Sequence, residues 1–317
     1  MTWLLTGGAG YIGAHVARAL VDAGMPVVAY DDLSTGRREF LPDGVPLVVG
    51  SVLDAATLHD ALRAHGVSGV VHLAAKKAAG ESVSQPLRYY RENVEGTRVL
   101  LEQMVAAGVR RLVFSSSAAA YGTPDVDLVT EDTPARPESP YGETKLVGEW
   151  LVRDVARVHP LASTALRYFN VVGSGDPAVY DVSETNLFPL AFRALQAGRR
   201  PQVFGGDYPT PDGSAVRDYI HVADLADAHV AAARRLAEGG PVSPLYNVGR
   251  GEGVSVREVL HTMAATLGVD LGYDVVDRRP GDPARIVASA DRIAAELGWR
   301  ARRDLADMVR SGWAAWR

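Results

Sequence analysis

Short apolar runs alternate with longer amphipathic stretches through the first half of the chain. Runs rich in Val, Leu and Ala over 2–6, 26–30, 69–73, 111–115 and 164–169 predict buried strands. The stretches 11–23, 55–65, 86–107 and 141–159 carry apolar residues at helical spacing and predict helices. Regular strand–helix alternation predicts a parallel sheet with helices on both faces, a doubly wound α/β architecture. No fixed-period repeat interrupts it. After Phe169 the texture changes. Gly and Pro become frequent (Gly173, Gly175, Pro177, Pro189, Pro201, Gly205, Gly206, Pro209, Pro211, Gly213) and the alternation stops. This predicts two lobes: residues 1–169, and a smaller mixed α/β lobe over 170–317. The segment 217–236 reads as a strand and a helix that return to the first lobe.

The turn after the first strand carries chemistry. Gly7, Gly8, Gly10 and Gly13 lie between a strand and a helix in the order G-G-A-G-Y-I-G. Glycines allow a tight turn and a close backbone approach to a pyrophosphate, which then sits on the helix N-terminus where free N–H groups and the dipole favour negative charge. Asp31 follows at the end of the second strand. A carboxylate there accepts hydrogen bonds from a ribose diol and repels a 2′-phosphate, so the pattern points to NAD over NADP. This is the Rossmann-type reading of the first lobe.

Composition narrows the remaining classes. The chain has 317 residues, 47% hydrophobic and 22% charged, with a formal net charge of −5. That is a globular composition, and its weak acidity argues against a nucleic-acid or anionic-membrane partner. With no cysteine, disulfides, thiol catalysis and Cys-ligated metals are excluded. The histidines show no metal-ligand spacing, so no metal is expected; Asp218, His221 and Asp224 read as polar groups at a strand–helix junction. The glycine-rich start lacks the basic flank of a signal peptide and no run of 18 apolar residues spans a membrane, so a cytoplasmic protein is expected.

Tyr141 and Lys145 stand four apart at a predicted helix start, which places them on one face. A phenol titrates near 10 and is a poor base at neutral pH. An adjacent ammonium and the positive charge of oxidised nicotinamide both favour the phenolate; a lowering of roughly three units corresponds to about 4 kcal/mol. Tyr141 then serves as a base toward a hydroxyl. Ser115, Ser116 and Ser117 sit at the carboxyl end of the fourth predicted strand, where open parallel sheets bind ligands. A serine hydroxyl there can share a substrate oxygen with Tyr141.

These residues carry a resemblance. T-G-G-A-G-Y-I-G (Thr6–Gly13), H-L-A-A-K-K-A-A-G-E-S (His72–Ser82), S-S-S-A (Ser115–Ala118), S-P-Y-G-E-T-K (Ser139–Lys145), L-R-Y-F-N (Leu166–Asn170), D-Y-P-T-P-D-G (Asp207–Gly213) and V-R-D-Y-I-H-V (Val216–Val222) run nearly end to end. The chain resembles the extended short-chain dehydrogenase/reductase family and, within it, the UDP-glucose 4-epimerase group. The resemblance implies an isomerase that inverts C4 of a UDP-hexose through a 4-keto intermediate, with NAD reduced and reoxidised in each cycle. It implies that Tyr11, Ile12, Asp31, Asp32, Leu33, Ser34, Thr35, Gly36, Val52, Leu73, Ala74, Ala75, Lys77, Lys145 and Phe169 line NAD, beside Ser51 and Ser115. Ser117 and Tyr141 would meet the sugar 4-hydroxyl, with Lys77 nearby. Asn170, Asn186, Leu187, Val203, Phe204, Arg217, Arg279 and Asp282 would hold UDP; two guanidinium groups can neutralise a diphosphate. The helices 86–107 and 141–159 would form the interface of a homodimer.

Three positions depart from the group. Ser51 replaces an Asp that accepts from the adenine amino group, Ala119 replaces a Thr, and Ile286 stands where a bulky Tyr restricts N-acylated sugars. UDP-N-acetylglucosamine is therefore an alternative substrate. Dehydratases and decarboxylases share the first half-reaction but carry a carboxylate in the serine run, where this chain has Ala118, Ala119 and Ala120. A non-catalytic NAD-sensing protein of this fold has no need of Tyr141 and Lys145, yet both are present.

Overall fold

The computed structural model describes residues 1–279 and 281–316. The expected parallel sheet is present. It has seven strands in the order β10-β6-β5-β4-β1-β2-β3: β1 (Thr2–Thr6), β2 (Val27–Asp31), β3 (Leu47–Val49), β4 (Val67–His72), β5 (Arg111–Ser117), β6 (Ala162–Tyr168) and β10 (Leu245–Val248). Every pairing in it is parallel.

Both faces are covered because successive strand residues point to opposite sides. Trp3 and Leu5 pack with Val16, Leu20, Leu225 and Val230 of α1 (Tyr11–Asp22) and α8 (Val222–Ala237). Leu4 faces the other way, into a core with Leu58, Leu62, Leu100, Met104 and Val152 of α2 (Ala55–Ala64), α5 (Gly96–Ala107) and α6 (Pro140–Val158).

Two sheet strands lie outside the sequence reading. β3 is a three-residue edge strand, half exposed, whose apolar run Leu47–Val49 is short and directly follows Pro46. β10 joins the sheet from beyond residue 169, parallel to β6. The helix expected over 86–107 is also not continuous. After α3 (Ala79–Ser84), α4 (Pro86–Tyr89) leads into a π-helical turn over Tyr90–Glu95 before α5 begins. The segment 217–236 divides: its helix, α8, packs on α1 beside the main sheet, whereas its strand, β9 (Val216–His221), is the centre of a smaller sheet. β7 (Asn170–Val172), β11 (Gly253–Ser255) and β13 (Arg285–Ile286) all pair with β9. β8 (Gln202–Phe204) pairs with β12 (Asp274–Val276). Phe188, Phe192, Tyr219, Leu260, Met263 and Met308 form the core of this part, from α7 (Leu187–Gln196), α9 (Val256–Leu267) and α11 (Leu305–Trp316) around β9. The short α10 (Asp291–Leu297) returns to the main core through Ile293.

Candidate active site

At the carboxyl end of β1 the chain turns through Gly7 (φ 71°) into α1. Gly10 caps that helix with no side-chain hydrogen bond, and the first turn holds no acidic residue. The leading N–H groups are thus left for an anion. A Cβ on Gly13 would lie 2.0 Å from the Gly7 carbonyl oxygen, so only glycine lets helix and turn meet here. These features fit the pyrophosphate of a dinucleotide.

Asp31 ends β2 buried beside this turn. Its Oδ2 accepts from the Ala9 N–H at 3.0 Å and its Oδ1 from Leu33 N–H at 2.8 Å. Burial raises its pKa, and the two backbone donors work against that rise. Leu33 sits at φ 58°, a conformation that turns the 31–36 loop around the carboxylate. Asp32 accepts from Ser34 N–H, and Lys76 donates to the Ser34 hydroxyl. On the next strand, Leu73 N–H donates to the Thr6 carbonyl and Ala74 N–H to the Thr6 hydroxyl. The ends of β1 and β4 are thereby joined.

Two residues of the cofactor set are engaged within the chain itself. Tyr11 donates its hydroxyl to the Gly173 carbonyl at 2.5 Å, leaving its ring to pack with Phe40, Val179 and Val222. The Ser51 hydroxyl accepts from Leu53 N–H, and its carbonyl takes the Tyr30 hydroxyl. Val52 is buried under Gly96.

The tyrosine–lysine pair follows from the local sequence S-P-Y-G. Ser139 caps α6 by accepting from Gly142 N–H, and Pro140 takes the first helical position, where no donor is needed. A Cβ at Gly142 would lie 2.4 Å from the Ala119 carbonyl oxygen. Glycine therefore lets the helix start close onto the loop after β5. Tyr141 is buried there, with the Ser117 side chain as its polar neighbour. Lys145, one turn on, donates its ammonium to the Ser115 carbonyl at 2.8 Å.

The electrostatics differ from the sequence expectation. The helical spacing predicts that the ammonium draws the phenol pKa down. In the structure, burial pushes Tyr141 up, and the Ser117 hydrogen bond opposes it. Burial also lowers Lys145 to about 8, opposed by the Glu149 carboxylate. The chain alone thus brings phenol and ammonium toward their neutral forms, and the ammonium is turned to β5.

The residues expected at UDP gather around β8, β9 and the segment after β12. Arg217 on β9 donates to Asp282 at 2.8 Å and to the Pro283 carbonyl at 2.7 Å. The Arg279 guanidinium lies 3.8 Å from the centre of the Phe204 ring. Asn186 donates to Asp181, which also receives Lys77 at 3.5 Å. Val203 is fully buried in the core, with Leu187 packed against it, and Asn170 is exposed at the start of β7. Ile286 packs with Ala118 and Phe169 in one buried cluster, adjacent in sequence to Ser117 and to the end of β6.

Several polar residues of the site were not singled out from the sequence. Glu149 binds Arg167 and Ser116 beneath the serine run. Its position four beyond Lys145 was the available signal. Asn93, within the π-helical turn, clamps both backbone polar groups of Lys76 and donates to Thr144; no sequence rule marks such a turn. His229 bonds the Ser115 hydroxyl at 3.1 Å. Asp218, His221 and Asp224 bond the chain itself: Asp218 accepts from Arg250, Gly251 and Ala288 N–H groups, His221 caps α8, and Asp224 holds Arg303.

Residues 3–249 match the family model described as the NAD dependent epimerase/dehydratase family. A UDP-glucose 4-epimerase of Azospirillum brasilense is 49% identical over 315 residues, 97% of this chain and 90% of the relative. Among solved structures, the UDP-glucose 4-epimerase of Stenotrophomonas maltophila with bound NAD and formylated UDP-arabinopyranose superposes with a TM-score of 0.94 at 40% identity, covering 99% of this chain and 97% of that one. That of Brucella ovis in complex with NAD gives 0.94 at 38%, covering 98% and 97%. With its glycine turn, its parallel sheet and its Tyr141–Lys145 helix in place, this chain belongs to the NAD dependent epimerase/dehydratase family.

Proposed function

We propose that the protein is an NAD-dependent isomerase that interconverts UDP-glucose and UDP-galactose by inverting C4 of the hexose. The observation that carries the reading is the burial of Tyr141 beside Ser117 at the carboxyl end of β5, with Lys145 bonded to the Ser115 carbonyl, in the same sheet as a turn shaped for a dinucleotide. The relatives above, two of them solved with NAD, support it.

In this reading the main-sheet lobe holds the cofactor. Gly7, Gly10 and Gly13 admit the pyrophosphate, Asp31 receives a ribose, and the loops at Asp32–Gly36, Ser51–Val52 and Leu73–Lys77 enclose the rest, with Phe169 near the reacting end. When bound, NAD supplies reversible redox chemistry at the sugar C4. Its positive charge in the oxidised state also adds the pull toward phenolate that the chain lacks. Tyr141 takes the proton of the 4-hydroxyl as the sugar is oxidised, and returns it after the 4-keto sugar has turned over. Ser117 shares the same oxygen. Lys145 braces the helix against Ser115 and keeps a positive charge near the site.

UDP supplies the grip. Arg217, Arg279, Asp282, Asn170 and Asn186 are its anchors, and the side chains of Ala118, Ala119 and Ala120 offer the hexose none. A sugar held mainly through its diphosphate is free to present either face. The same alanines leave no carboxylate in the serine run for elimination.

The exposed apolar side chains Leu87, Tyr90, Trp150 and Val158 lie on α4, the π-helical turn and α6. They support a homodimer built on these helices; light scattering on the purified protein tests the assembly. The functional test is incubation with UDP-galactose and, separately, with UDP-N-acetylgalactosamine, followed by product separation. Formation of UDP-glucose is expected, and substrate deuterated at C4 should keep its label. Turnover of neither sugar overturns the reading; turnover of the N-acetylated sugar alone moves it to UDP-N-acetylglucosamine.

A further inference from the structure

We propose that Glu149, held in place by Arg167, is a positioning residue of the Tyr141–Lys145 machinery: it locks α6 to β5 one turn beyond Lys145. Tyr141, Lys145 and Glu149 stand on successive turns of one face of α6. Three consecutive residues of β5 receive them. Ser117 is the polar neighbour of Tyr141, the Ser115 carbonyl accepts from Lys145 at 2.8 Å, and the Ser116 hydroxyl donates to Glu149 at 2.5 Å. The middle contact therefore fixes the strand segment whose two flanks hold the reacting pair.

Glu149 is itself held from the next strand. Arg167 pairs in register with Ser116 across β5 and β6. Its Nε and Nη2 donate to the two carboxylate oxygens at 2.8 and 2.6 Å, a bidentate fork that sets the carboxylate plane. The guanidinium lies 4.4 Å over the Tyr121 ring, and the Tyr121 hydroxyl donates to Asn247. The Arg167 side chain is 5% exposed and that of Glu149 is 12% exposed. Burying such a pair costs desolvation on both sides, so its presence calls for a gain other than bulk stability.

That gain is the field at Lys145. On α6 the lysine shares one face with Tyr141 and Glu149. From β4 it faces His72, whose ring burial holds neutral. β5 presents the Ser115 carbonyl and the Phe114 ring, whose centre lies 5.5 Å from the ammonium; His229 of α8, its ring held neutral by burial, bonds the Ser115 hydroxyl. Glu149 is the carboxylate that opposes the desolvation of the ammonium. Without it, the buried Arg167 guanidinium loses its bidentate partner.

The inference rests on the epimerase reading only where turnover is measured. The chain has three lysines, Lys76, Lys77 and Lys145, so holoenzyme labelled with 13C at lysine Cε resolves the Lys145 titration directly by NMR. In Glu149→Gln the Lys145 midpoint is expected to fall by about one pH unit, and the alkaline limb of the kcat profile to fall with it. In Arg167→Met, which leaves the carboxylate in place, the midpoint should not fall. A purely structural role would weaken both variants alike and leave the midpoint where it was. A folded Glu149→Gln protein with an unmoved midpoint overturns the proposal. Should that variant not fold, Glu149→Asp withdraws the carboxylate from Ser116 and Arg167, and an unmoved midpoint there overturns it equally. If the midpoint moves while UDP-galactose is not turned over by the unaltered protein, the positioning role stands and the functional reading falls.

Discussion

Lys145 donates its ammonium to the backbone carbonyl of Ser115 at 2.8 Å. The bond ties the first turns of α6 to the end of β5 and brings Tyr141 to Ser117. It also shows why the pair is not a ready-made phenolate. Both side chains are buried, and desolvation opposes both charges. In the proposed mechanism the phenol ionises once oxidised NAD shares the site.

Replacing Tyr141 by Phe removes the proposed proton carrier while leaving the ring, which meets Tyr89 edge-on at 6.5 Å. Turnover of UDP-galactose should drop by about 10²–10⁴-fold, with thermal stability and the NAD content of the purified protein unchanged. Wild-type turnover in this variant would remove Tyr141 from the mechanism.

Ser117→Ala deletes the hydrogen bond that lowers the Tyr141 pKa. The phenol then needs a higher pH to ionise. The acid limb of the kcat profile should move to higher pH by about one unit, and the plateau should fall less than in Tyr141→Phe. A limb unmoved by the change would mean that Ser117 does not act on Tyr141.

Gly13→Ala places a methyl group 2.0 Å from the Gly7 carbonyl oxygen. The turn must open, and the N-terminus of α1 loses its shape for a pyrophosphate. The variant should purify without bound NAD and melt below the parent. NAD released on denaturation, measured per chain, decides it; full occupancy would place the pyrophosphate elsewhere.

Arg217 holds Asp282 and the Pro283 carbonyl, both on the segment after β12. In Arg217→Met the KM for the UDP-sugar should rise about 10–100-fold, corresponding to the loss of one to two charge-assisted hydrogen bonds, with kcat little changed. A fall in kcat at constant KM would place Arg217 at the reacting carbon rather than at the nucleotide.

Much of this was legible because the signals are local. A strand, a glycine turn, a helix and Asp31 lie within one short stretch, and Ser139–Lys145 encodes its own cap, clearance and reacting pair. What was not legible depends on distant partners. Glu149 looks like any helix carboxylate until β6 supplies Arg167, and the π-helical turn that aims Asn93 follows no hydrophobic period. β10 belongs to the main sheet only because the chain returns after building β9. The pKa direction of Tyr141 was misjudged for the same reason: spacing gives the neighbour but not the burial.

The buried histidines make acid stability a quantitative test of the fold. Burial lowers His15, His221 and His229 to about 4 and His72 to about 3. A depressed folded pKa means that the unfolded chain binds these protons first, from near 6.5 downward, so each ring's contribution is lost as pH falls toward its folded value. Asp218 works the other way: burial raises it to about 6, so in the folded chain it takes a proton before the unfolded one does and gains stability as pH falls below that value. Near pH 5 the four rings outweigh the single carboxyl by roughly three protons, which corresponds to a loss of about 4 kcal/mol for each pH unit lowered. Urea unfolding between pH 7 and 5 should show a slope of about one proton at the upper end that steepens to about three at the lower. His229→Gln should remove about one proton's worth of that slope, and a flat profile would mean that these rings are hydrated in the folded protein.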